Sequence, residues 1–294
     1  MTERDKTVAF LGLGAMGLPM ATRLVERGHN LVVVPHRSRE TVERLEHKGA
    51  TVAGTAAEAA AQAAFVITML PNDEVVDSVL LGPSGVVQGA RPGTVVVDMS
   101  TISPAAAVRT SKRLIDGGLA FLDAPVSGGP ARAGTGELAI MVGGSESTLT
   151  AARPVLDALG ASIFHVGPAG AGQIIKACNN LVGAACMLAD AEALALAKAH
   201  GIEPTVAREV ILAGTGGNWQ LEKQIPLTVL NNDYSPRFAL SLLNKDLGIA
   251  GAMATSEGLP SFMGNLVRSV YGDAQSKYGG DHDFSSVYRL YGAD

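Results

Sequence analysis

A short apolar strand, a glycine turn and a helix succeed one another at the start of this chain, and that order leaves few folds open. Thr7-Val8-Ala9-Phe10-Leu11 is an apolar run of strand length. Gly12-Leu13-Gly14-Ala15-Met16-Gly17 follows at once, and Leu18 to Arg27 reads as a helix closed by Gly28. Glycine is needed at three places in such a unit. Gly12 permits the tight turn, Gly14 lets the backbone approach a pyrophosphate, and Gly17 lets helix and strand pack closely. The helix N-terminus then faces the phosphate charge. A glycine-rich turn with no ligand is the alternative, but it does not account for the βαβ pattern that the turn opens.

That pattern continues. Strands are expected at Asn30 to Val34, Thr51-Val52, Ala64 to Leu70, Thr94 to Asp98, Leu119 to Asp123, Gly136 to Gly143 and Ala161 to Val166. Helices are expected at Thr41 to Lys48, Ala56 to Ala63, Asp73 to Leu81 and from Pro104 to about Asp116. Alternation of this kind predicts an α/β domain with a doubly wound, mostly parallel Rossmann sheet over residues 1–167. In such sheets ligands lie beyond the carboxyl ends of the strands, so Leu70-Pro71 and Ser100-Thr101 should touch a cofactor, unless they are ordinary turns.

After Gly167-Pro168-Ala169-Gly170 the alternation stops. Residues 168–294 read as an all-α domain joined by one long helix over about 172–200. Further helices are expected at Pro204 to Ala213, Trp219 to Asn231, Ser241 to Ser256 and Ser261 to Tyr278. Pro226 should kink or split the second of these.

The long helix opens with chemistry. On a 3.6-residue period Gly172, Lys176, Asn179, Asn180 and Gly183 share a face. One face thus carries an ammonium, two amides and two gaps where something could approach. The functional reading is a catalytic lysine with amides that orient a substrate; the plain reading is a helix start whose lysine meets solvent. Ser127-Gly128-Gly129 after a strand exposes successive backbone N–H groups suited to a carboxylate. Trp219 is either a core residue or an apolar lid over a small substrate.

The second strand is followed by Pro35-His36-Arg37-Ser38-Arg39, where an NAD site usually has an acid for the ribose diol. A guanidinium and a hydroxyl suit a 2′-phosphate better, which predicts NADP with NAD as second choice. The net charge of −5 and the absence of a Lys/Arg cluster exclude a nucleic-acid surface. Met1 to Lys6 is polar, without a leader pattern, and Leu181 to Ala199 carries Asp190, Glu192 and Lys198, so neither export nor a membrane partner is expected. Cys178 and Cys186, about 12 Å apart along one helix, read as free thiols in a reducing cytoplasm. Two Cys and six scattered His show no metal-ligand spacing.

Five motifs in order resemble the β-hydroxyacid dehydrogenase family, which includes 3-hydroxyisobutyrate dehydrogenase and tartronate semialdehyde reductase. They are Gly12 to Ala21, Met69-Leu70-Pro71, Asp123 to Gly129, Gly170-Ala171-Gly172 with Lys176 and Asn179-Asn180, and Lys245-Asp246-Leu247. The resemblance covers essentially the whole chain. It implies that Lys176 is the catalytic lysine, that Ser127, Gly128 and Gly129 hold a substrate carboxylate, and that Asn180 orients the substrate. It further implies that Leu70, Pro71, Thr101 and Lys245 line the cofactor site, and that His36-Arg37-Ser38 is similar to the Asn-Arg-Thr signature of NADP-preferring members. The implied activity is hydride transfer between a nicotinamide and the β-carbon of a small 3-hydroxy acid or its semialdehyde. The implied assembly is a homodimer or homotetramer. The alternatives are a non-catalytic NADP-binding scaffold or redox sensor and, less favoured because of Lys176, an imine reductase.

Overall fold

The computed structural model of the protein describes residues 7–35 and 39–292. Two compact units divide the chain, Met1–Lys176 and Ala177–Asp294.

The first unit is built on a sheet of nine strands among the described residues. They are β1 Thr7–Leu11, β2 Asn30–Val33, β3 Thr51–Val52, β4 Phe65–Thr68, β5 Val95–Asp98, β6 Ala120–Asp123, β7 Val126–Ser127, β8 Leu138–Gly144 and β9 Gly160–Gly167. Its helices are α1 Gly17–Glu26, α2 Arg39–Glu46, α3 Ala56–Gln62, α4 Asp73–Leu81, α5 Pro104–Asp116, α6 Gly129–Thr135 and α7 Glu146–Leu159. Strand order is β3-β2-β1-β4-β5-β6-β8-β7, with β9 paired to β8. The pairings from β3 to β6 are all parallel; β8 runs antiparallel to β6.

β1 shows why the sheet needs helices on both faces. Val8 and Phe10 enter one apolar layer, while Ala9 and Leu11 enter the other. All four are nearly inaccessible. Alternate residues of a strand point to opposite faces, so an unbroken apolar run is stable only with both faces covered. The strand order reverses direction around β1 and β4, and this places the ends of those two strands at a topological switch point.

Two helices of this unit lie where no helix is read from the sequence. One is α6, which starts at the last glycine of the Ser-Gly-Gly segment. The other is α7, whose interior Pro154 runs against helix propensity. Ser145 caps α7 by accepting from the Thr148 amide at 3.1 Å.

The second unit is helical. Helix α8 spans Ala171–Ala199 and carries the division between the units in its second turn. It is followed by α9 Pro204–Ala213, a π-turn Gln220–Gln224, α10 Ile225–Leu227, a 3₁₀ turn Val229–Asn231, α11 Leu240–Ser256, α12 Phe262–Tyr278 and a 3₁₀ segment Phe284–Tyr291. The expected helix at 219–231 is broken into three short pieces around Pro226, which lacks the N–H a continuous helix requires. Length and composition alone would let α8 cross a membrane. Its Ala184, Met187, Ala191 and Leu194 are buried in the core of this unit with Leu221, Leu243 and Tyr271. Cys178 and Cys186 are free thiols.

Candidate active site

The turn after β1 is glycine by necessity at two points. Gly12 has φ +107°, and a Cβ there would stand 2.3 Å from the Met69 carbonyl oxygen. A Cβ at Gly17 would stand 1.8 Å from the Gly12 carbonyl oxygen. Gly14 differs: no heavy atom lies within 4 Å of where its Cβ would be. Gly14 and Ala15 are exposed, while Leu13 and Met16 turn their side chains onto the sheet core. Helix α1 begins without a side-chain cap at Met16 and without an acid in its first turn. Its first amides therefore lack the usual side-chain acceptor, and the macrodipole favours an anion there. An open cradle above an uncapped helix start fits the pyrophosphate of a dinucleotide.

Two further loops wall this cradle. The backbone after β4 abuts Gly12 through Met69, and the Leu70 amide donates to Ser100 Oγ at 2.8 Å. Leu70 and Thr101 are partly buried and Pro71 is exposed. Beneath them is Asp98, fully buried at the end of β5. Its Oδ1 accepts from Thr68 Oγ1 at 2.8 Å and from the Ser100 amide at 3.1 Å, and its Oδ2 has no partner. Burial pushes its pKa up to about 6, against the opposing effect of the Ser100 and Thr68 hydrogen bonds. His36, Arg37 and Ser38 lie outside the described residues.

The start of α8 is tied to the same edge of the sheet. Asp123, ending β6, accepts from the Gly170 amide at 2.7 Å through Oδ1 and from the Gln173 amide at 3.1 Å through Oδ2. It serves as a cap delivered from a remote strand, and burial raises its pKa while those amides oppose the rise. Gly172 is no gap for a ligand, contrary to expectation: a Cβ there would meet the Met141 and Asp123 carbonyl oxygens at 2.4 and 2.8 Å. Gly183 likewise faces Gln220 Nε2, 3.1 Å from its virtual Cβ. The protein itself fills both spaces.

Three turns of one helix carry the expected polar face. Lys176 is 8% exposed, so the solvated-lysine reading does not hold. Asn180 is buried and Asn179 exposed. In the second unit Asn180 Nδ2 donates to Asp246 Oδ2 at 2.6 Å, and Asn179 Nδ2 donates to Asn180 Oδ1 at 3.2 Å. Lys245 Nζ pairs with Asp246 Oδ1 at 2.9 Å, with Asp246 almost wholly buried, so this is not a solvated surface pair. Trp219 is 51% exposed, which removes the core reading for it. The Asn218 side chain beside it accepts from the Gln220 and Leu221 amides and donates to Asp190. In the first unit Ser127 ends β7, and Gly128 and Gly129 follow with φ +140° and +71°. They lead into α6, whose first amides have no side-chain cap.

Asp98 and Gln173 escape a reading of the sequence, and Asp123 and Asp246, though they stand inside two of its motifs, receive no role from it. Asp98 and Asp123 share a signal, an acid closing an apolar strand at its carboxyl end. Gln173 has none, because its partners lie more than seventy residues away. Among the described residues no cluster of His, Cys, Asp or Glu could hold a metal ion.

Fold and cradle define a dinucleotide-binding protein of Rossmann architecture with a helical second domain. Residues 7–167 match the family model described as the NAD-binding domain of 6-phosphogluconate dehydrogenase. Residues 170–291 match the model described as NAD-binding of NADP-dependent 3-hydroxyisobutyrate dehydrogenase. The chain belongs to the β-hydroxyacid dehydrogenase family. It is 41% identical over 292 residues to an NAD-dependent L-serine dehydrogenase of Pseudomonas aeruginosa, covering 97% of this chain and 98% of that one. A 3-hydroxyisobutyrate dehydrogenase of the same organism is 39% identical over 97% of this chain and 98% of its own length. The solved structure of Mycobacterium tuberculosis 3-hydroxyisobutyrate dehydrogenase with L-serine superposes with a TM-score of 0.87 at 39% identity, covering 97% and 98% of the two chains.

Proposed function

We propose that this protein oxidises a small 3-hydroxy acid, or reduces the matching semialdehyde or ketone, with Lys176 as general acid–base. One observation carries the reading. Lys176 is an almost inaccessible lysine on a helix whose first turn is bonded to the loops that wall the dinucleotide cradle. Nicotinamide, when bound, would supply or accept the hydride. In oxidation the Lys176 amine takes the proton of the substrate hydroxyl; in reduction its ammonium returns it. Ser127 and the N–H groups of Gly128 and Gly129 hold the carboxylate. Asn180, its amide fixed by Asp246, orients the substrate. Asn179 and Trp219 are further candidates for contact with the substrate, and Lys245 for contact with the coenzyme.

The substrate class rests on chemistry shared by the relatives. Both 3-hydroxyisobutyrate and L-serine carry a carboxylate and a hydroxyl on the β-carbon. Arg37 and Ser38 support a preference for NADP, since a guanidinium pairs with a 2′-phosphate. The test is a screen of 3-hydroxy acids, serine, threonine and their aldehydes against NAD and NADP, followed by NAD(P)H absorbance. Turnover of at least one β-hydroxy acid is expected. Flat traces throughout would leave only a nucleotide-binding scaffold.

A further inference from the structure

Gln173 is inaccessible to solvent and uses both ends of its side chain. Its Oε1 accepts from the Ile102 amide at 3.1 Å, and its Nε2 donates to the Ser100 carbonyl at 2.9 Å. A single carboxamide thus clamps the two peptide groups that flank Thr101. The Gln173 amide is held in turn by Asp123. Three residues further along the same helix stands Lys176, on the neighbouring surface of the next turn.

We infer that Gln173 is a positioning residue, setting the loop at Ser100–Ile102, which on the dehydrogenase reading meets the nicotinamide end of the coenzyme, in register with the helical turn that bears Lys176. The inference rests on the dehydrogenase reading above and adds to it a residue that touches neither substrate nor coenzyme. Glutamine suits the task because donor and acceptor lie side by side in one plane, as they do along the edge of a strand. Methionine has nearly the same volume and length but offers neither group. Ionised glutamate keeps the acceptor, loses the donor and sets a charge against the Ser100 carbonyl. Protonated glutamate restores both.

Three proteins test this: native, Gln173→Met and Gln173→Glu. In Gln173→Met kcat is expected to fall by about 10- to 100-fold, the effect of an ångström-scale misplacement of a reacting group. Affinity for ADP-ribose (or its 2′-phosphate), which lacks the nicotinamide ring, should stay native, while NAD(P)H loses its advantage over that fragment. In Gln173→Glu both deficits should shrink as pH falls and the buried carboxyl takes up a proton, with turnover measured in the reducing direction as a ratio to native at each pH. A merely structural role would lower thermal stability and both affinities together, without a pH-dependent recovery. Native kcat and a native NAD(P)H-to-ADP-ribose affinity ratio in Gln173→Met would overturn the inference, as would a Gln173→Glu deficit that is flat with pH. Should Gln173→Met fail to fold, the Gln173→Glu profile decides alone. Absence of turnover in the native protein would sink the dehydrogenase reading, while the binding ratios would still decide this one.

Discussion

At the scale of single residues, Asp98 sets the clearest pH signature. Its carboxyl is fully buried with a folded pKa of about 6, above the ordinary value of 3.8, chiefly because burial disfavours the charge. A carboxylate raised in this way binds its proton more tightly in the folded state. Its stabilising contribution is complete below the unfolded pKa and is lost as pH rises through the folded one. Native protein should therefore lose about 2 kcal/mol of stability relative to Asp98→Asn between pH 4.5 and pH 7. Thermal midpoints of both proteins across that range check it; parallel curves would refute the buried, protonated carboxyl. Arg37 carries a different prediction. Arg37→Ala should raise the NADPH Michaelis constant by about tenfold or more while leaving NADH within about twofold, as expected for loss of a charge-assisted phosphate contact. Equal effects on both coenzymes would assign Arg37 no part in discrimination. Lys176 draws attention in the sequence because it shares a helical face with Asn179 and Asn180. Asp98 and Gln173 do not, because what sets them apart is burial against partners 30 and more than seventy residues distant.

At the scale of elements, the βα turn separates two glycines that look alike in sequence. Gly17→Ala places a Cβ against the Gly12 carbonyl and should destabilise the protein by several kcal/mol or prevent folding. Gly14→Ala meets open space, so the protein should fold with a native thermal midpoint yet bind NAD(P)H more weakly if, as proposed, the backbone at Gly14 is where a pyrophosphate approaches. Melting curves with coenzyme titrations distinguish them. Native affinity in Gly14→Ala would move the pyrophosphate elsewhere. Segments such as Pro104–Asp116 and Asp73–Leu81 are legible in the sequence, and the structure adds the caps that start them, Ser103 and Asn72. Helix α7 is not, since Pro154 masks it and only packing on the sheet overrides that preference. Gly172 and Gly183 mislead in the opposite direction: glycine in a helix signals a close approach but does not say whether protein or ligand makes it.

At the scale of the whole molecule, the second unit leaves large apolar side chains exposed, among them Phe262 at 84%, Val210 at 67%, Leu259 at 63% and Val182 at 62%. Apolar side chains of this size on a surface become buried when copies associate through them. We therefore expect a homodimer or homotetramer in solution, which sedimentation equilibrium measures; a monomer at micromolar concentration would contradict it. The architecture, an alternating α/β half followed by a helical half, is readable from periodicity and from the break at Gly167-Pro168. The pairing of β8 against β6 is not, because strand direction late in a sheet is set by packing rather than by pattern. Everything proposed for the site depends on Lys176 moving a proton beside bound coenzyme. The most direct measurement is kcat and NAD(P)H affinity for Lys176→Ala beside the native enzyme. Turnover should fall by about 10²–10⁴-fold with coenzyme affinity preserved; near-native turnover would contradict the role assigned to this lysine.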